Sequence, residues 1–137
     1  MTMNSKSGPR RALDGVRVLA LETSLSGPHA TKMLADMGAE VIKIERPGAG
    51  DVIRGWDKAV KGLSSGIVWI GPNKKSFAID VKKPAARGIL QRLAIRSDVV
   101  LENFAPGAAE RMGLGAKELR ALNPRLVYCS LSGYGQD

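Results

Sequence analysis

The sequence predicts an α/β fold, a parallel sheet with helices on both faces. Short β-branched runs alternate with amphipathic patterns from Leu13 onward. Each pattern is closed by glycine or by a proline signal, as at Gly38 and Asn123-Pro124. Strand patterns that alternate with helix patterns mean a parallel sheet with helices on its faces.

Val16 to Leu21 opens the sheet after the Asp14-Gly15 turn. A helix follows over Pro28 to Met37, where Ala30, Met33, Leu34 and Met37 fall at i, i+3, i+4 and i+7. Pro28 suits a first turn, because its missing N–H has no helical partner there. Glu40 to Ile44 is the second strand. Arg46 to Lys75 is a long irregular region with a short helix expected at Ile67 to Ile70. Phe77, Ile79 and Val81 alternate as a third strand. Pro84 opens the clearest helix, with Ala86, Ile89, Leu90, Leu93 and Ala94 on one stripe. Asp98 to Glu102 is a fourth strand, Leu119 and Leu122 mark a last short helix, and Leu126 to Ser130 is a fifth strand.

Composition narrows the function. With 44% hydrophobic and 25% charged residues, the 137-residue chain is globular. No apolar run approaches the roughly 18 residues of a membrane span. Met1 to Ala12 is polar and basic, carries Lys6, Arg10 and Arg11, and reads as a mobile leader without a secretory pattern, so a cytoplasmic location is expected. The single cysteine, Cys129, excludes an internal disulfide and reads as a buried structural thiol, and the single histidine excludes a multi-histidine metal site. His29 lies beside a helix N-terminus that disfavours its charged form and is not expected to act as a general base. No metal is expected.

Net charge is +8, from 21 basic and 13 acidic residues. Such a surplus suits nucleic acid, an anionic surface or a polyanionic small molecule. Aromatics are 4%, too few for the stacking platforms of single-strand binding, so no nucleic-acid partner is expected. Ligands on parallel sheets bind at the carboxyl ends of the strands. That edge is expected to hold Arg46, Arg54, Lys74, Lys75, Lys82 and Arg111. Gly48-Ala49-Gly50 lacks the third glycine of a dinucleotide fingerprint, and no P-loop is present. Coenzyme A needs cations for its phosphates and an apolar face for its adenine, which the Asn103 to Gly107 loop would suit. Spacing alone favours reading Phe104 as a core plug and Arg111 as a solvated helix charge over a ligand-binding role for either.

A series of ordered blocks carries something more specific. Leu13-Asp14-Gly15-Val16-Arg17-Val18-Leu19, Gly27-Pro28 and the run Leu34 to Pro47 lead to Gly50-Asp51 and Arg54. Asn73-Lys74-Lys75-Ser76, Glu102-Asn103-Phe104 with Pro106-Gly107, Met112-Gly113-Leu114, Leu122 to Leu126 and Ser132-Gly133-Tyr134-Gly135-Gln136 follow. Together they resemble the opening of the class III CoA-transferases, the family of formyl-CoA transferase, carnitine CoA-transferase and α-methylacyl-CoA racemase. The resemblance implies the Rossmann-like N-terminal part of a large domain, with 13–137 an incomplete CoA-binding segment.

It also implies roles. Ser26 matches the position where the first βα loop meets the thioester end of the cofactor, and Arg46 a CoA-contacting arginine. Ile79 and Lys82 match the segment bordering the adenosine. Asn103, Phe104, Arg111 and Met112 match the loop and helix start that enclose adenine and phosphates. The partners implied are an acyl-CoA, a carboxylic acid acceptor and a second copy in an interlocked homodimer. A transferase of this family attacks the thioester with an aspartate carboxylate, whereas a racemase moves an α-proton with an acid/base pair. Both sets are expected downstream of Asp137, so no catalytic residue is assigned. Asp51 and Asp80 match positions that are not catalytic, and Asp51 is expected to cap a loop. Alone, the chain is expected to lack transferase activity and to self-associate.

Overall fold

A computed structural model describes residues 10–136. Lys6 and Asp137 lie outside the described residues. Five parallel strands form one sheet in the order β3-β2-β1-β4-β5: β1 Arg17–Leu21, β2 Glu40–Glu45, β3 Lys74–Ala78, β4 Val99–Glu102 and β5 Val127–Ser130. The register pairs Val18 with Val41 on one side and with Val99 on the other. Helices α1 Ser26–Asp36, α2 Ser65–Ile70, α3 Pro84–Ile95, α4 Ala108–Arg111 and α5 Ala116–Leu122 connect the strands, with a 3₁₀ turn at Val52–Gly55.

Strand alternation separates two cores. Val18, Ala20 and Val41 point to the α1 side and bury with Ala35 and Ala39. Leu19, Leu21, Ile44 and Val100 point the other way and bury with Ala86, Leu90 and Ala94 of α3, Leu114, and Leu119 of α5. Helices therefore cover both faces, as the sequence predicts. The central strand β1 is sealed: Val18 to Leu21 are each 0% exposed. Arg11, in the basic N-terminal segment, pairs with Asp14 at 3.2 Å.

Three local readings change. The third strand is Lys74–Ala78, displaced toward the N-terminus from the Phe77-Ile79-Val81 alternation. Its pairing with β2 ends when Ile79 N–H donates to the Glu45 carbonyl at 2.9 Å, and Ile79 and Val81 pack on the α3-side core from the loop that follows. Polar residues are tolerated in this strand because it is an edge, exposed along most of its length. Lys74 and Lys75, at its first two positions, pair in register with Val41 and Ile42 near the start of β2, not at the ligand edge. Cys129 is a free thiol only partly buried, because β5 is the other edge and its neighbour Val127 is 60% exposed.

Candidate functional site: a cleft at the carboxyl edge

The chain leaves β1 to one side toward β2 and β3, then crosses back to place β4 on its other side. The loops after β1 and β4 therefore diverge, which is where open α/β sheets hold ligands. A cleft of about 290 Å³ opens beside this point. Ile44, Ile79, Val81 and Phe104 supply apolar wall, Glu22, Thr23 and Asp51 line the loop side, and Arg46 and Lys82 bring cationic heads. Arg46 and Lys82 are exposed and form no salt bridge with a described residue.

Four of the sequence-expected residues, Arg46, Ile79, Lys82 and Phe104, thus meet on one cleft. Phe104 is both wall and plug: it lines the cleft and packs on the α3-side core. Asn103 fastens the switch point itself. Its Oδ1 accepts from the Thr23 N–H at 2.8 Å, and its Nδ2 donates to the Thr23 carbonyl at 2.9 Å and to the Ser26 hydroxyl at 3.3 Å. This tight approach requires Gly27, where an added Cβ would stand 3.0 Å from Glu22 and 3.1 Å from Asn103. Arg111 and Met112 do not line the cleft. Arg111 is exposed on α4 and folds back over Gly107, while Met112 packs on the α3-side core. His29 is also off the cleft, its ring centroid 5.2 Å from that of Trp69.

The face of β2 turned toward α1 holds what sequence reasoning missed. Lys43 is 3% exposed and donates to Asp51 Oδ2 at 2.6 Å and Glu22 Oε1 at 3.3 Å. Glu22 also receives Lys74 at 3.0 Å and the Thr31 hydroxyl at 2.7 Å. Glu45 takes both arms of Arg54, at 2.7 and 2.8 Å, and the Ser76 hydroxyl at 3.0 Å. Three carboxylates thus face three cations. Glu22, Asp51, Lys43 and Lys74 form a nearly dry cluster, where an ion left without its partner would cost about 3–5 kcal/mol. Glu45 pairs beside it with Arg54, whose side chain is 41% exposed. One signal was available. Lys43 shares strand parity with buried Val41, so it had to bury a charge and find a partner.

The electrostatics follow from these contacts. The Arg54 guanidinium, more than burial opposes it, holds the Glu45 carboxyl at about 2, with help from the Asp51 N–H and the Ser76 hydroxyl. For Asp51, burial works to raise the pKa, but the Lys43 ammonium and the Ser24 and Ile53 N–H groups together keep it below the ordinary carboxylate value. Burial pulls Lys74 down, against the attraction of Glu22. Arg54 and Lys74 are therefore committed to internal carboxylates, which leaves Arg46 and Lys82 as the cleft's outward cations. Asp51 also caps the 3₁₀ turn through the Ile53 N–H at 3.1 Å, the loop-capping role expected of it.

Residues 13–137 match CoA-transferase family III, and the chain belongs to that family. It is 47% identical over 133 residues to the succinyl-CoA–D-citramalate CoA-transferase of Chloroflexus aurantiacus, covering 96% of this chain and 33% of that protein. It is 46% identical over 127 residues to the succinyl-CoA:glutarate CoA-transferase of Mus musculus, covering 92% of this chain and 29% of that protein. Among solved structures, Rv3272 of M. tuberculosis superimposes with a TM-score of 0.88 at 40% identity, covering 95% of this chain and 37% of that one. The chain thus spans about a third of the length of the relatives it matches.

Proposed function

We propose that the cleft is a coenzyme A site, and that this chain supplies the CoA-holding part of a CoA-transferase moving CoA between an acyl-CoA thioester and a carboxylic acid. The observation that carries this is the pairing of an apolar wall with two outward cations, Arg46 and Lys82, at the carboxyl edge of a family III chain. The wall suits adenine and pantetheine, and the cations suit phosphates. Asn103 and Ser26 border the thioester arm. Both relatives named above carry succinyl-CoA and a dicarboxylic acid in their names, which supports a dicarboxylic acid as acceptor. The interlocked homodimer and the cytoplasmic location implied by the resemblance belong to the same proposal, as does the division into a leader, 1–12, and an incomplete CoA-binding segment, 13–137.

Calorimetric titration tests it. A phosphate held by charge-assisted hydrogen bonds contributes about 1.5–3 kcal/mol, so dephospho-CoA should bind roughly tenfold or more weakly than CoA. Equal affinity for the two, or none for either, would contradict the assignment. The purified chain is expected to bind CoA without turnover, and measured transfer from succinyl-CoA to glutarate would overturn that part.

A further inference from the structure

Asp51 stands where the buried ion layer meets the cleft. Its Oδ1 accepts from the Ser24 N–H at 2.9 Å and from the Thr23 hydroxyl at 3.2 Å, while Oδ2 faces the Lys43 ammonium at 2.6 Å. From the opposite side Asn103 brackets the Thr23 peptide at 2.8 and 2.9 Å. The two residues enclose a strained segment: Ser24 has φ 65°, a left-handed conformation that a residue with a Cβ disfavours. Such a conformation persists only when its surroundings hold it. The Ser24 N–H bond to Asp51 is the contact made directly at that residue. Lys43, bonded in turn to Glu22, fixes the orientation of the Asp51 carboxylate from inside the sheet.

We propose that Asp51 is a positioning residue for the cleft: it holds Thr23 and Ser24 in the left-handed turn and so presents the first βα loop to the thioester arm of coenzyme A already ordered. This rests on the coenzyme A reading of the cleft. A loop ordered in advance loses less freedom when the cofactor arrives, and the gain appears as affinity. Released from Asp51, Ser24 would relax to negative φ, and the chain leading to Ser26 would leave its place against Asn103.

The test is calorimetric titration with coenzyme A of the wild type, Asp51→Asn, Ser24→Gly and the double variant. Asp51→Asn keeps the side chain's shape but sets an uncharged amide against the Lys43 ammonium. It is expected to weaken binding at least tenfold. Glycine adopts positive φ without strain, so Ser24→Gly in the Asp51→Asn background is expected to restore at least threefold of that loss. If Asp51→Asn alone does not fold, Lys43→Met/Asp51→Ala with and without Ser24→Gly gives the comparison, since it removes the acceptor of the Ser24 N–H and leaves no charge at either position without its partner. Unchanged affinity in Asp51→Asn, or a loss that Ser24→Gly does not relieve, overturns the proposal. Absence of binding by the wild type would defeat the coenzyme A reading instead. Positioning is then decided by hydrogen exchange: the Ser24 amide should exchange at least tenfold faster in Asp51→Asn, with the Val18 and Leu90 amides unchanged. Equal exchange at Ser24 overturns it.

Discussion

Glu45 ties the acid response of the fold to one guanidinium. Its carboxyl sits at about 2 in the fold against an ordinary value of 4.5, chiefly because Arg54 grips both oxygens. A lowered carboxylate stabilises fully above its unfolded value, and that contribution is lost as pH falls from about 4.5 toward about 2. Because water reaches and screens the part-exposed Arg54, the contribution to stability is on the order of 1–3 kcal/mol, less than the full shift would give. Urea unfolding at about pH 6 and about pH 3 should therefore show a smaller acid-induced loss in Glu45→Gln than in the wild type. Equal losses would show that the Glu45–Arg54 pair does not carry the effect. At this scale the sequence displays charges but not their partners. Arg46, Arg54, Lys74 and Lys82 are alike in one dimension. Only the register that brings Glu22 to Lys74 and Glu45 to Arg54 separates the internally committed cations from the outward pair.

Among the elements, α3 was the most legible and β3 the least, for physical reasons that can be named. In α3, the 3.6-residue period of Ala86, Leu90 and Ala94 is enforced by full burial against the sheet, and Pro84 fixes its start. Leu90 is 0% exposed, so Leu90→Ala should cost about 2–5 kcal/mol, read as a lowered urea midpoint with an unchanged slope. A loss under about 1 kcal/mol would mean that α3 does not anchor this face. In β3, burial is slight and Phe77 is 38% exposed, so hydrophobic alternation carries little information. The strand is held instead by backbone pairing to β2 and by Lys74 and Lys75 reaching Glu22 and Glu40. The four-residue α4 is too short for a periodic signal and goes unread.

For the whole molecule, the reversal of strand order about β1 is what turns separate motifs into one site. Arg46 follows β2, Ile79 and Lys82 follow β3, and Phe104 follows β4, yet parallel pairing brings all four to one rim. Composition and periodicity could place these residues on the carboxyl edge without showing which of them meet, because that depends on strand order. The ordered motif blocks supplied the family, and the geometry then put Arg111 and Met112 outside the cleft that the other four share. The most direct test of a coenzyme A cleft here is an amide chemical-shift titration of the chain with coenzyme A. Saturable shifts should concentrate at Arg46, Gly50, Val81, Lys82 and Phe104. Shifts centred on Arg96, Asp98 and Arg125, at the opposite end of the strands, or no saturable shifts at all, would contradict the account.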